Sequence, residues 1–248
     1  MTTDPLPLTG ERTVPGIPSE NYWFRRHEAA YRWAAPRLAA QTIAEIGCGE
    51  GYGTALFAES AQRVIGLDYD STTIAHAHRT YPRARFVRGN LAALPFATAC
   101  LDAIATLQVI EHVWDHGQFL AECRHALRPA GVLLVTTPNR LTFSPGRDQP
   151  LNPFHTKEFA ADELTHLLTS AGFAIDAIFG LHAGPRIVEL DERYGSFADA
   201  QLATEPAHWP RQLLRDVASI EATDFPIVAA AERDIDIALD LVVLGRRA

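Results

Sequence analysis

The sequence predicts an α/β fold in which helices cover both faces of a seven-stranded, mostly parallel sheet. Short apolar segments alternate along the chain with segments whose apolar residues recur at helical spacing, as in sheets with right-handed helical crossovers. The chain also has 248 residues, of which 47% are hydrophobic and 21% charged. This length and composition suit one large α/β domain.

The composition argues against several classes of protein. No apolar run reaches the roughly 18 residues that span a bilayer, and the first residues lack the basic and apolar segments of a secretory signal. Three cysteines are too few for a disulfide framework, and a net charge of −8 argues against nucleic-acid binding. We therefore expect a cytoplasmic protein without membrane or nucleic-acid partners. The sequence leaves a monomer and a homodimer open.

Residues 1–27 are predicted to form an N-terminal arm or lid. Residues 1–20 are rich in Pro, Thr and Gly and have no periodicity. From Tyr22 the sequence YWFRRHEAAYRW is aromatic and basic, and residues 29–40 predict a helix that Pro36 distorts.

The predicted core, residues 42–183, alternates strands and helices. Its predicted helix 71–80 carries His76 and His78, which are expected to face solvent. The predicted strands are 42–46, 63–67, 84–87, 101–107, 131–136 and 173–179, and the predicted helices are 51–60, 71–80, 117–127 and 160–171.

A long connection precedes the last predicted strand, residues 237–244. It covers residues 184–233 and has weak helical patterns interrupted by Pro and Gly. Connections this long inside a compact domain are generally functional. We therefore predict a helical cap insertion, followed by residues 234–248 as the end of the sheet.

A glycine-rich turn marks the predicted cofactor site. Residues 44–54, AEIGCGEGYGT, lead from a strand into a helix, so a ligand can approach the backbone beside the first N–H groups of that helix. Asp68 ends the next strand, where a carboxylate can accept hydrogen bonds from both hydroxyls of a ribose. The turn has neither the dinucleotide pattern G-x-G-x-x-G nor the Gly-Lys-Ser/Thr of a P-loop.

Four motifs resemble those of Rossmann-like class I methyltransferases, which use S-adenosyl-L-methionine (SAM). EIGCG at 45–49 resembles their E/D-x-G-x-G turn, and GLD at 66–68 their ribose-binding acid. GNL at 89–91 resembles the adenine-binding turn, and LRPAGVL at 127–133 the turn before the fifth strand. The resemblance implies that the cofactor contacts residues in or near these motifs: Gly47, Gly49, Asp68, Tyr69, Asn90, Leu91 and Gln108.

The aromatic segment at the end of the arm is predicted to lie across the cofactor. Tyr22 and Trp23 would cover it, and Arg26 or His27 would lie near its methionine carboxylate. Burying aromatic rings beside arginines requires an anion nearby. The alternative is that these rings only pack the first helix onto the sheet.

Glu111, His112 and His155 are the candidate catalytic residues. Glu111 and His112 follow the fourth predicted strand, on one face of a helical turn with Gln108, and His155 follows the fifth strand. The carboxyl ends of neighbouring parallel strands meet at one edge of a sheet, so we expect these side chains to converge. A carboxylate and two imidazoles suit a divalent metal or general acid–base catalysis.

Small-RNA 2′-O-methyltransferases have a similar Glu-x-x-Glu-His motif and a distant histidine that bind magnesium. This resemblance implies a Mg²⁺ site, although Gln108 stands where that family has its first glutamate. Three interpretations stay open: a metal site at Glu111, His112 and His155, a metal-free group with His155 as base, and structural histidines.

Segments outside the common motifs resemble mycobacterial sugar O-methyltransferases. These segments are GERTVPG and ENYWFRRHE near the N-terminus, and QVIEHVWD, TPNRLTFSPGRD and NPFHT in the centre. The resemblance implies a mannose-type oligosaccharide acceptor, methylated on the reducing-end 1-OH of a 3-O-methylated mannoside during methylmannose polysaccharide biosynthesis.

Two other functions remain open. VIEH also resembles methyltransferases of quinones, lipids and natural products, and a non-catalytic SAM-binding subunit is a further alternative. The sequence predicts a polar opening to the acceptor site, which favours the sugar over an apolar acceptor. The residues behind that prediction are Arg140, Arg147, Asp148, Asn152 and Arg186.

Overall fold

The computed structural model describes Leu6, residues 12–39 and residues 41–248. Residues 1–5 and 7–11 of the predicted arm therefore lie outside the described residues, as does residue 40. None of the helices in the described part of the chain is both long and apolar enough to cross a membrane.

One mixed sheet of eight strands forms the centre of the described protein. Its spatial order is β3-β2-β1-β4-β5-β8-β6-β7. The first five strands in this order are parallel, and β8 lies antiparallel between β5 and β6. The strands are β1 (Thr42–Ile46), β2 (Arg63–Asp68), β3 (Arg85–Arg88), β4 (Leu101–Leu107), β5 (Leu127–Pro138), β6 (Phe173–Leu181), β7 (Ile227–Ala229) and β8 (Asp240–Arg247).

The sheet has one strand more than the seven predicted. The additional strand, β7, pairs antiparallel with the end of β6 at the edge of the sheet and belongs to the insertion. With three residues it is too short to show the alternation by which strands are identified in a sequence.

Nine α-helices are present in the described residues, together with six short 3₁₀ turns. The first begins at Asn21 rather than at residue 29 and ends before Pro36, which lies in a 3₁₀ turn. The α-helices are α1 (Asn21–Ala34), α2 (Tyr52–Phe57), α3 (Ser71–Thr80), α4 (His116–Ala126), α5 (Arg140–Phe143), α6 (Ala161–Ser170), α7 (Pro185–Tyr194), α8 (Phe197–Leu202) and α9 (Arg211–Ala218). The 3₁₀ turns are Pro18–Glu20, Ala35–Leu38, Ile110–His112, Pro206–His208, Ala222–Asp224 and Ile235–Ile237.

Apolar side chains form a core on each face of the sheet. On one face, Phe119 of α4 and Leu164 of α6 pack with the strands. On the other, α1 packs with the helices of the insertion through Ile187, Leu213 and Val217. The insertion is thus part of the hydrophobic core, which is a larger structural role than the cap that the sequence predicts.

Candidate active site

Two adjoining cavities lie at the carboxyl ends of the parallel strands. The glycine cavity, of about 140 Å³, is lined by the glycine-rich turn, Asp68, Tyr69 and Leu91. The histidine cavity, of about 380 Å³, contains Glu111, His112 and His155. Because the two share wall residues, ligands in the two cavities would lie next to each other. The shared residues are Arg12, Thr13, His27, Gln108 and His112.

The glycine-rich turn requires glycine at its first position. Gly47 has a φ of +76°, a left-handed conformation that other residues rarely adopt. A Cβ on Gly47 would lie 2.5 Å from a methyl carbon of Val109, so a side chain would also clash. The Gly47 N–H donates to the Leu67 carbonyl over 2.7 Å, which fixes the turn against β2.

Asp68 lies half-buried at the end of β2 and faces the glycine cavity. Its carboxylate accepts hydrogen bonds from the backbone N–H groups of Gly49 and Asp70, each over 3.0 Å. A carboxylate has about four acceptor positions, so two are left for a ligand. Asp68 therefore has the position and the free acceptors expected of a ribose-binding acid.

The acid of the E-x-G-x-G motif has a structural role. Glu45 is fully buried and accepts hydrogen bonds from Tyr31, over 2.6 Å, and from Thr54. Burial raises the pKa of Glu45 to about 7. Its side chain links α1, β1 and α2 and does not line either cavity.

Two residues predicted to contact the cofactor make other contacts in the structure. Tyr22 is 3% exposed and packs edge-to-face on Phe197 and Phe225, so it is a core residue. Asn90 is exposed, and its side chain accepts from the Ala92 N–H over 3.0 Å, which caps a turn. Neither residue lines the glycine cavity.

Trp23 and Arg26 line the histidine cavity rather than the glycine cavity. The Arg26 guanidinium donates to both carboxylate oxygens of Asp240, over 2.6 and 2.7 Å, and both side chains are buried. Asp240 therefore supplies the anion that the buried arginine requires.

The described end of the N-terminal arm crosses between the cavities. The Thr13 hydroxyl lies 3.1 Å from the Tyr52 hydroxyl and 3.4 Å from Nδ1 of His27. Arg12 forms an ion pair of 3.2 Å with Asp70, the N-cap of α3. Burial lowers the pKa of His27 to about 4, so this imidazole is neutral at pH 7.

Glu111, His112 and His155 converge as the sequence predicts. One potential ligand atom from each lies within 4.8 Å of the other two. Glu111 and His112 belong to a 3₁₀ turn after β4. The loop that carries His155 is joined to this turn by Thr156, whose N–H and hydroxyl donate to the Glu111 and Val113 carbonyls, each over 2.7 Å.

Hydrogen bonds fix the orientation of both imidazoles. Nδ1 of His112 donates to the Phe154 carbonyl over 3.0 Å, which leaves Nε2 with a lone pair. Nδ1 of His155 donates to Glu158 over 2.8 Å, and Nε2 accepts from the Asn152 amide over 3.1 Å. Burial lowers the pKa of His112.

Glu158 was not among the residues predicted from the sequence. Its carboxylate is 2% exposed, and one of its oxygens has no hydrogen-bond partner in the described residues. The signal in the sequence was its position three residues after His155. That spacing alone is common on any surface, so it did not point to a buried pair.

The three converging residues fit a divalent cation. The Glu111 carboxylate is buried, accepts from the Thr137 hydroxyl over 2.9 Å and has no ion pair with any described residue. Burial raises its pKa to about 8, and the carboxylates of Asp240 and Glu158 also raise it. Metal-binding imidazoles commonly have a carbonyl or carboxylate on the second ring nitrogen, as both have here.

Gln108 lies at the junction of the two cavities and does not supply a further carboxylate. Its φ of 56° is in the left-handed region, which is unfavourable for a residue other than glycine. Its amide donates to Asp240 over 3.2 Å and to Thr136 over 3.3 Å. These bonds hold the amide between β4, β5 and β8.

The polar residues at the histidine cavity are mostly not the ones predicted for its opening. Arg140 pairs with Glu163, and Arg186 pairs with Glu189 and Asp216. Of the five residues behind the prediction, Asn152 alone lines the cavity. The apolar part of the lining comes from Trp23, Pro138, Phe143, Leu151, Pro153, Phe154 and Leu202.

Comparisons with known proteins identify similar sequences over almost the whole chain. The family described as "Methyltransferase domain" matches residues 44–135. A probable S-adenosylmethionine-dependent methyltransferase of Mycolicibacterium smegmatis is 55% identical over 245 residues, which are 98% of this chain and 95% of that protein. A protein of the same description from Mycobacterium tuberculosis H37Rv is 52% identical over 246 residues, 98% of this chain and 90% of the relative.

Solved structures show the same fold at low sequence identity. A SAM-dependent methyltransferase of Thermotoga maritima, described as a possible histamine N-methyltransferase, has a TM-score of 0.63 and 18% identity. The match covers 91% of this chain and 93% of that one.

Proposed function

Because the chain belongs to the family of SAM-dependent methyltransferases, we propose that it is an O-methyltransferase that acts on a sugar hydroxyl. The observation that carries the proposal is the group formed by Glu111, His112 and His155 in the histidine cavity. A sugar hydroxyl is a weak nucleophile near pH 7, so its methylation requires a base or a cation beside the oxygen. This group offers both.

The glycine cavity is the proposed site of SAM, which supplies an electrophilic methyl group on its sulfonium. Asp68 would accept hydrogen bonds from the ribose hydroxyls, and the backbone of Gly47 and Gly49 would lie against the ligand. His112 and Gln108 line both cavities and would orient the acceptor oxygen towards the methyl group.

Without a cation, His155 is the proposed base. Its Nδ1–H is held by Glu158, so Nε2 has the lone pair that can accept a proton. Asn152 donates to that lone pair in the ligand-free protein, and an acceptor hydroxyl would take its place. After proton transfer, the buried Glu158 carboxylate would stabilise the imidazolium.

In the alternative arrangement, Glu111, His112 and His155 would bind a divalent cation, Mg²⁺ or Mn²⁺, and Nε2 of His155 would then be a ligand and not a base. The cation would supply positive charge that makes a neighbouring hydroxyl more acidic. Glu111 is suited to this role because it is a buried carboxylate without an ion pair among the described residues.

The proposed acceptor is a mannose-type oligosaccharide that is methylated on the 1-OH of a 3-O-methylated mannoside during methylmannose polysaccharide biosynthesis. This step of the proposal comes from the resemblance of the N-terminal and central segments to sugar O-methyltransferases. It is also supported by the lining of the histidine cavity. Trp23 and Phe143 present flat apolar surfaces on which the ring and methyl groups of a methylated sugar can pack.

The test compares three acceptors with SAM and the purified protein. We expect turnover of a 3-O-methylmannoside with a free reducing end, and none of the same sugar with its 1-oxygen already methylated. Equal turnover of both sugars would contradict methylation at the 1-OH. Turnover of a quinone precursor with neither sugar accepted would show instead that the apolar lining serves a small aromatic acceptor.

A further inference from the structure

A second buried polar cluster lies behind the glycine-rich turn and consists of Glu50, His76 and Tyr81. Glu50 is 3% exposed. One of its oxygens lies 2.8 Å from Nε2 of His76, and the other accepts from the Tyr81 hydroxyl over 2.7 Å. The prediction that His76 faces solvent is therefore wrong, because its side chain is 13% exposed and pairs with a buried carboxylate.

The cluster connects the turn to α3 and the residue that follows it. Glu50 comes directly after Gly49, whose N–H donates to Asp68, and it lines the glycine cavity. His76 belongs to α3, and Tyr81 is the C-cap of that helix. The turn also lies close against α3 at the residue after Glu50. A Cβ on Gly51 would lie 2.9 Å from the Cβ of Ala77.

The turn needs such an attachment. Gly47, Gly49 and Gly51 all have positive φ, and glycine has more backbone freedom to lose than any other residue. A ligand that binds a mobile turn must also fix its conformation, which weakens the observed affinity. Two hydrogen bonds on the Glu50 side chain restrain this segment before the ligand arrives.

We propose that Glu50, His76 and Tyr81 are positioning residues for the cofactor, because they hold the glycine-rich turn in the conformation that binds SAM. The proposal depends on SAM dependence and not on the identity of the acceptor. Loss of the cluster should raise the Kd of the cofactor and the KM for SAM. At saturating SAM, kcat of variants at His76 and Tyr81 should change little, since neither side chain lines the glycine cavity or the histidine cavity.

The decisive comparison is between Tyr81→Phe and Tyr194→Phe. Each variant removes one tyrosine hydroxyl that donates to a buried carboxylate, over 2.7 Å to Glu50 and over 2.8 Å to Asp216. Tyr194 lies in the insertion and lines neither cavity. It is therefore a matched control for the loss of such a bond.

We expect Tyr81→Phe to weaken binding of S-adenosylhomocysteine by about 3- to 10-fold, the usual range for one hydrogen bond. Tyr194→Phe should leave this Kd unchanged. Calorimetric titration of each variant, with the Tm of the ligand-free protein, separates affinity from stability. Equal affinities in wild type and Tyr81→Phe, or equal weakening in both variants, would overturn the proposal.

Glu50→Gln and Glu50→Leu provide an independent comparison. Glutamine keeps an oxygen for Tyr81 and an amide for the imidazole of His76, whereas leucine can make neither bond. We expect S-adenosylhomocysteine to bind Glu50→Gln more tightly than Glu50→Leu. Equal affinity of both for the ligand, at the wild-type value, would contradict the positioning role. If Glu50→Leu does not fold, the tyrosine pair still decides the question.

Discussion

Nδ1 of His155 lies 2.8 Å from the buried carboxylate of Glu158, and this pair orients the imidazole that faces the histidine cavity. Removing one partner of a buried pair leaves the other unsatisfied. We expect Glu158→Leu to lower kcat by about 10- to 100-fold, the usual effect of losing a group that orients a catalytic or metal-binding histidine. Glu158→Gln keeps an acceptor for the Nδ1–H and should retain more activity.

The control for Glu158 is Glu189→Gln, which removes a carboxylate on the exposed face of α7. It should leave kcat unchanged. The ring tautomer of His155, observed by ¹⁵N NMR, provides a second measurement that does not depend on turnover. Identical tautomers in wild type and Glu158→Leu would show that Glu158 does not orient the ring.

The cofactor site can be tested at Asp68. Asp68→Ala removes the proposed ribose acceptor and also the acceptor of the Gly49 N–H. We expect binding of S-adenosylhomocysteine to weaken by about 1.5–3 kcal/mol, or roughly 10- to 150-fold. Asp176→Ala, which removes a surface partner of Arg246, is the control. An unchanged Kd in folded Asp68→Ala would refute the assignment.

The described end of the arm provides a test of the predicted lid. Arg12 connects the arm to Asp70 at the start of α3 and lines both cavities. We expect Arg12→Ala to speed dissociation of S-adenosylhomocysteine in stopped-flow measurements, because the arm would open more often. Arg246→Ala, which loses a surface ion pair, should leave this dissociation rate unchanged.

Truncation tests the same lid, but it must end before α1. Tyr22 and Phe24 of α1 are buried in the core, so deleting residues 1–27 would damage the fold itself. Deletion of residues 1–13 removes the arm contacts and leaves α1 intact. A full ligand-induced rise in Tm for this variant would show that the arm does not cover the cofactor.

The pKa of Glu45 predicts how stability depends on pH. Burial raises this pKa to about 7, so between about pH 4.5 and 7 the folded state binds a proton that the unfolded state releases. The contribution of Glu45 to the free energy of unfolding therefore falls as pH rises through this window, by at most about 3 kcal/mol. Glu45→Gln should lack this loss. The Tm of the variant should therefore rise relative to the Tm of wild type as pH increases. Parallel Tm curves for the two proteins would contradict the shift.

Local patterns in the sequence predicted most of the sheet but few of the contacts between distant segments. Strands and the glycine-rich turn were recognisable because burial and backbone conformation determine the pattern of apolar residues and glycines within about ten residues. The Arg26–Asp240 pair joins residues 214 positions apart, so nothing near Arg26 in the sequence identifies its anion. For the same reason the pairing of Arg140 with Glu163 was not predictable, and Arg140 was wrongly expected at the opening.

The convergence of Glu111, His112 and His155 was predictable because it follows from topology. β4 and β5 are parallel neighbours in the sheet, and the residues that follow them meet at one edge. Cation binding also depends on the hydrogen-bond partner of the second ring nitrogen of each imidazole. The sequence does not show these partners, which are the Phe154 carbonyl and Glu158.

The last prediction distinguishes a cation from a metal-free base. If Glu111, His112 and His155 bind a cation, a chelator should abolish activity, and Mg²⁺ or Mn²⁺ should restore it. Mn²⁺ should bind the apoprotein more tightly than Mg²⁺, because imidazole nitrogens suit transition metals better. Mn²⁺ binding followed by electron paramagnetic resonance should be lost in Glu111→Gln and kept in His125→Ala, whose imidazole contacts Thr98 on the surface.

If His155 acts without a metal, the same experiments give a different pattern. Chelators should then have no effect, and His155→Ala should lower the rate by about 10²- to 10⁴-fold while affinity for S-adenosylhomocysteine is retained. We favour the cation, because a buried carboxylate without an ion pair in the described residues, beside two imidazoles, is better explained by a positive ligand than by one proton transfer. Activity that persists in chelator and also in His155→Ala would exclude all three residues from the mechanism.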